Sequence, residues 1–183
     1  MELIELTPPE YDVDVELAYA TEENFTTVPV YQQAICYLHA AAAEKLQDAI
    51  KAARAMGYKL RILDAFRPSE AQWILWNHTP NPDFLTDPRR GSPHSRGVAV
   101  DLTLLGADGA PIDMGTDFDA FTPLSHHGNT GVPKEAQRNR LLLLGLMTHT
   151  GWDFYRNEWW HYQLFNSRDY PLISDAELDK PML

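Results

Sequence analysis

The stretch "GVAVDLTL", residues 97–104, limits the choice of fold most. Val98, Val100, Leu102 and Leu104 alternate with Ala99, Asp101 and Thr103, which is the period of an extended strand. Large apolar side chains on one side suit the interior of a sheet. An unpaired carboxylate on the other side would be costly to bury. That second face must therefore border a cavity or a charged partner. His94 stands seven residues before Asp101, just after "GSP", where a glycine-flanked loop can fold back toward the same point.

Around this strand the chain reads as a mixture of helices and short strands. "VYQQAICYLHAAAAEKLQDAIKAARAMG", residues 30–57, predicts a long helix with Ile35, Leu38, Ala42, Leu46, Ala49, Ile50 and Ala53 on one face. Gly57 is placed to stop it. "YKLRILDAF" follows as a strand, and Pro68 opens a short helix over "SEAQWILWNH". "TPNPDFLTDPRRGSP" carries four prolines and reads as loop. "PKEAQRNRLLLLGLMTHT" predicts a second long helix closed by Gly151, and "WDFYR" and "WWHYQL" two short aromatic strands. Too few strands recur at βαβ spacing for a doubly wound sheet. The expectation is a single α+β domain over residues 1–183, with helices packed on a small, mainly antiparallel sheet.

Charge and cysteine usage exclude several roles. A net charge of −11 opposes nucleic acid or an anionic membrane as partner, because both call for clustered Lys and Arg. Cys36 is the only cysteine, so no intramolecular disulfide forms, and its apolar setting marks it as core. No window approaches ~18 apolar residues, and "MELIELTPPEYDVD" has no apolar core of a targeting segment. The expected compartment is the cytoplasm.

A second chemical element lies in "NEWWHYQL", where Glu158 and His161 form E-x-x-H. On a regular strand these two would face opposite ways. To share a site, Glu158 must sit in a turn and His161 must begin the strand. Two histidines and one carboxylate with an open fourth position make the ligand set of a catalytic zinc. A further carboxylate beside them is the base that hydrolysis needs. His94, Asp101, His161 and Glu158 supply each part once. Other histidines are weaker candidates: the neighbours His126 and His127 diverge on regular backbone, and His39, His78 and His149 fall in helical patterns or at helix ends.

"SPHSRGVAVDLTL" fits S-x-H-x-x-G-x-A-x-D, and "EWWHY" fits E-x-W-H. In these motifs the chain resembles the VanX-like family of zinc D,D-peptidases, the D-Ala-D-Ala dipeptidases. "YATEENFT", "DAFRP" (with Phe66 where the family has tyrosine), "DMGTDFD" and "SHH" extend the resemblance from about Tyr19 to about Leu164. It implies one zinc ion per chain on His94, Asp101 and His161, with Glu158 as general base and acid. It further implies that Arg67 bonds the developing oxyanion, that Asp119 meets the substrate ammonium, and that Tyr19 and Ser92 line a dipeptide pocket. The substrate so implied is the small dipeptide D-Ala-D-Ala. Two alternatives stay open: a D,D-carboxypeptidase or L,D-endopeptidase acting on peptidoglycan peptides, and a non-catalytic zinc-binding module of the same fold. The segment before the His94 loop is shorter than in the resistance-type dipeptidases, which leaves fine substrate preference open.

Overall fold

The computed structural model describes residues 3–183. Its strands are β1 (Leu3–Glu5), β2 (Asp14–Val15), β3 (Tyr37–His39), β4 (Lys59–Asp64), β5 (Ala99–Leu105), β6 (Asp153–Phe154) and β7 (His161–Gln163). The helices are α1 (Ala40–Ala55), α2 (Ser69–His78) and α3 (Lys134–His149). Five strands form one sheet in the order β2-β4-β5-β7-β6, antiparallel except for the parallel pair β2/β4, and β1 pairs with β3 in a separate two-stranded ribbon. This is the expected α+β architecture.

β5 is the central strand, and every one of its residues is buried. Its apolar run is therefore covered on both faces, as a central strand requires. On β4, Leu60, Ile62 and Asp64 are buried and alternate with partly exposed neighbours. A register shift between Ile62 and Asp64 brings Asp64 opposite Asp101 of β5. Without that bulge the two acids would not be cross-strand partners.

The long first helix is shorter than its sequence pattern predicts. It begins at Ala40, not near Val30, and Leu38 lies in β3. His39 explains the boundary. Its Nδ1 accepts the Ala41 N–H at 3.2 Å, so the side chain caps the helix, while residues 37–39 pair with 3–5. Cys36 precedes β3 as a buried core residue. Both long helices end in the same way. Gly57 (φ 80°) and Gly151 (φ 91°) take left-handed backbone, and the N–H groups of Tyr58 and Trp152 return to Ala53 O and Met147 O. This arrangement satisfies the last carbonyls and turns the chain into β4 and β6. α1 packs on β3, β4 and α3, and the core gathers Leu38, Leu46, Leu60, Ile62 and Leu102 with the fully buried Trp152 and Trp160.

Candidate active site

His94 begins a short 3-10 turn, His94–Arg96, that ends at Gly97. Gly97 has φ 68°, and a Cβ there would meet Leu3 Cδ2 at 2.7 Å and His39 N at 3.0 Å. Only glycine lets the turn run straight into β5 at this approach. Ser92 Oγ accepts the His94 N–H at 3.2 Å and fixes the turn from the other side. Asp101 lies opposite His161 in the β5/β7 pairing. Glu158 sits in the turn before β7: its N–H bonds Tyr155 O at 3.2 Å, and its carbonyl accepts from His161 N at 3.4 Å. That turn puts Glu158 and His161 on one site despite their i,i+3 spacing.

His94 Nε2, His161 Nδ1 and the Asp101 carboxylate converge. The two nitrogens are 3.1 Å apart, His161 Nδ1 is 3.1 Å from Asp101 Oδ1, and His94 Nε2 is 3.4 Å from Asp101 Oδ2. Their outer nitrogens are already committed. His94 Nδ1 donates to Ala65 O at 2.7 Å, and His161 Nε2 is 3.0 Å from Gln163 Oε1. A carbonyl oxygen accepts only, so each ring places its proton outward and its lone pair inward. Three acceptors thus face one point, an arrangement that calls for a cation. Two ligands about 2.0–2.1 Å from a tetrahedral ion lie about 3.3 Å apart, so the spacing also fits zinc. Outward hydrogen bonds that fix the rings are what metal-ligating histidines need.

The electrostatics follow from burial. Burial would raise the Asp101 pKa, but the two imidazoles outweigh it and hold the carboxyl well below the usual carboxylate range. Burial, with the charges of Asp101 and Asp119, pushes Glu158 well above its ordinary value, against the pull of Arg67. Glu158 Oε2 is 3.8 Å from His161 Nδ1, just outside the converging trio. Burial likewise pushes Asp119 up to about 7, although its Oδ2 accepts the Tyr19 hydroxyl at 2.7 Å. Asp119 itself has φ 57°, a left-handed conformation uncommon outside glycine.

Arg67 is buried and held by its own network. Nε and Nη2 donate to Asp64 Oδ2 at 2.9 and 2.8 Å, and Nη1 donates to Gln72 Oε1 at 2.8 Å. Tyr31 OH donates to the other Asp64 oxygen at 2.8 Å. The guanidinium lies 5.0 Å from the Tyr19 ring centroid, and Nη2 is 3.7 Å from Asp101 Oδ2. Three of its five N–H groups are used, leaving one on each Nη. Burial would lower its pKa, but Asp64 outweighs that and keeps it charged.

All eight residues singled out in the sequence line one cavity of about 370 Å³: Tyr19, Arg67, Ser92, His94, Asp101, Asp119, Glu158 and His161. A larger, more open cleft of about 950 Å³ beside Thr103 and Asp113 contains none of them. Sequence reasoning missed Asp64, Tyr31, Gln72 and Gln163. Asp64 carried a related signal, an acid that follows the buried Leu60 and Ile62 on the apolar parity of its strand. The other histidines stand apart from the cavity. His39 caps α1, and His78 and His149 end α2 and α3. His127 packs on Phe154 and Tyr162, where burial pushes it down to about 4.

The family model described as D-Ala-D-Ala dipeptidase, peptidase family M15, matches residues 1–177. A D-alanyl-D-alanine dipeptidase of Escherichia coli (strain K12) is 44% identical over 95% of this chain and 90% of its own length. One from Enterococcus faecalis (strain ATCC 700802 / V583) is 35% identical over 81% of this chain and 84% of its own. Among solved structures, VanYB in complex with D-alanine-D-alanine superposes with a TM-score of 0.48 at 16% identity, over 88% of this chain and 82% of that one. On the family match and the identity to these curated dipeptidases, the chain belongs to the D-Ala-D-Ala dipeptidase family of metallopeptidases.

Proposed function

We propose that the chain hydrolyses D-Ala-D-Ala to two D-alanines with one zinc ion per chain. The observation that carries this reading is the convergence of three acceptors whose outward positions are already bonded. His94 Nε2, Asp101 and His161 Nδ1 would hold the ion. Zinc, when bound, would polarise the scissile carbonyl and lower the pKa of water.

Glu158 takes the proton from the attacking water and delivers it to the leaving amine. Its Oε2 stands 3.8 Å from His161 Nδ1, within reach of a water held at that point. Arg67 offers its free Nη hydrogens to the oxyanion as charge develops, and Asp64 and Gln72 hold it so that no reorganisation is needed. Asp119, aligned by Tyr19, receives the substrate ammonium. Ser92 holds the His94 turn and lines the same pocket.

The cavity is bordered by a strap, residues 82–87. Asp83 O accepts from Tyr155 OH at 3.1 Å and from Asn157 Nδ2 at 3.0 Å. Phe84 stacks on Phe121 with ring centroids 5.0 Å apart, and Thr86 O accepts from Gln72 at 2.7 Å. The strap is thus tied to the Glu158 turn, the Asp119 loop and the Arg67 network, and the cavity it borders leaves about 370 Å³, room suited to a short peptide.

The test is to incubate the zinc-loaded protein with D-Ala-D-Ala, L-Ala-L-Ala and a pentapeptide ending in D-Ala-D-Ala. Cleavage of the first alone is expected. Cleavage of the pentapeptide would move the assignment to a carboxypeptidase. Bound zinc with no dipeptide cleaved would favour the non-catalytic module, and zinc far from one per chain would sink the site.

A further inference from the structure

The segment between β5 and α3, residues 106–133, carries Asp119 on largely irregular backbone. Its carbonyls need partners from elsewhere. Arg140, buried on α3, supplies them. Nε donates to Met114 O at 2.6 Å, Nη1 to Leu124 O at 2.6 Å and His126 O at 3.4 Å, and Nη2 to Thr116 Oγ1 at 3.2 Å. All four acceptors are neutral. The guanidinium also lies 6.0 Å from the Trp159 ring centroid. A single rigid fork therefore fixes several loop positions at once.

The proton directions at Thr116 follow by elimination. Its Oγ1 receives Arg140 Nη2–H and, at 2.9 Å, Trp159 Nε1–H. Guanidinium and indole N–H groups donate only. The Thr116 hydrogen therefore points to Ser125 Oγ, 3.2 Å away, and Ser125 donates to Ala120 O at 2.6 Å. Ser125 O in turn accepts the Trp159 N–H at 3.1 Å, and His127 N–H bonds Arg156 O at 2.9 Å. Trp159 follows Glu158 in the chain, and Ala120 follows Asp119. One hydroxyl thus ties the base-bearing turn to the loop that bears the ammonium acceptor.

We propose that Thr116 and Arg140 are positioning residues that set Glu158 and Asp119 at their working separation. The inference rests on the roles given to those two acids above. Neither Thr116 nor Arg140 touches the cavity that receives the substrate. Their effect is transmitted through Trp159 and Ser125, so their loss misplaces both acids together.

The test uses the hydroxyl against the shape. Thr116→Val keeps the side-chain outline and removes the hydroxyl, whereas Thr116→Ser keeps the hydroxyl and removes a methyl. Misplacement by about an ångström costs roughly 10²-fold, so Thr116→Val is expected to lose about 10- to 100-fold in kcat/KM for D-Ala-D-Ala. It should bind zinc in the same ratio as wild type. Amide exchange should quicken in residues 119–127 and 155–160 and not in β5. Thr116→Ser should restore most of the activity. Arg140→Lys, tested beside Arg140→Met, repeats the comparison at the other partner should Thr116→Val fold poorly, with Lys the more active. Leu141→Ala, an exposed neighbour on α3, should behave as wild type. The proposal falls if Thr116→Val turns over like wild type, or if Val outperforms Ser, since packing alone would then explain the site. Glu158→Gln, assayed in parallel, separates the premise: an inactive Glu158→Gln beside a fully active Thr116→Val overturns positioning alone. A fully active Glu158→Gln overturns the role of the base, and the proposal with it.

Discussion

The wall of the cavity that carries Asp101 and His161 is made of paired strands, whereas the wall that carries Asp119 is held largely by side chains. On the first, β5 lies between β4 and β7, and the register alone sets Asp101 beside His161. On the second, an irregular segment depends on Arg140, Thr116, Ser125 and Tyr19 for its shape. Backbone pairing is cooperative and local in sequence period, so it tolerates the loss of one side chain. Side-chain ties are individually replaceable and individually vulnerable. On the roles proposed above, the wall of Asp101 and His161 should fail by losing its ion, and the wall of Asp119 by losing alignment.

Breaking the first wall gives the largest effect. Asp101→Asn keeps the strand but removes the charge facing two imidazole lone pairs, so bound zinc should fall well below one per chain and turnover should vanish with it, as metal analysis beside the assay would show. Glu158→Gln comes next: kcat should drop by about 10²- to 10⁴-fold while zinc stays bound, and parallel loss of metal would show that Glu158 is a ligand instead. Asp119→Asn should raise KM more than it lowers kcat. A charge-assisted hydrogen bond contributes about 1.5–3 kcal/mol, or roughly 10- to 150-fold in kcat/KM.

A pH profile sharpens the same contrast. With its carboxyl pushed up to about 7, Asp119 is protonated below that pH and offers no charge to an ammonium. The wild-type kcat/KM should therefore rise as pH rises through about 7, and Asp119→Asn should lack that limb. A limb that persists in Asp119→Asn would assign it to another group. The smallest effect belongs to the strap. Tyr155→Phe combined with Asn157→Ala removes both donors to Asp83 O and should admit slow cleavage of the pentapeptide, with D-Ala-D-Ala hydrolysis nearly unchanged.

The two walls were also unequally legible in the sequence. Asp101 and His94 stood out because an acid interrupted the apolar run of a strand and a glycine-bounded turn preceded it. The turn needed between Glu158 and His161 followed from spacing alone. Asp119 could not be found this way. Its position depends on Arg140, which lies in a helix pattern that says nothing about the loop it braces, and on Tyr19, a hundred residues away in sequence. Without the family motifs Asp119 would have remained one acid among several in a polar loop. The start of α1 was misjudged for a related reason. The apolar spacing of Ile35 and Leu38 continues the helical period, but pairing of residues 37–39 with the chain's first strand overrides it.

The bulge in β4 has a consequence for charge. By setting Asp64 opposite Asp101, it gathers four carboxyl groups, Asp64, Asp101, Asp119 and Glu158, near the guanidinium of Arg67. Like charges set close together repel, and the charge of Asp101 is one reason why Asp119 and Glu158 are pushed above their ordinary values. Under the proposed function, a cation at His94, Asp101 and His161 would relieve that crowding and let the neighbouring acids ionise together.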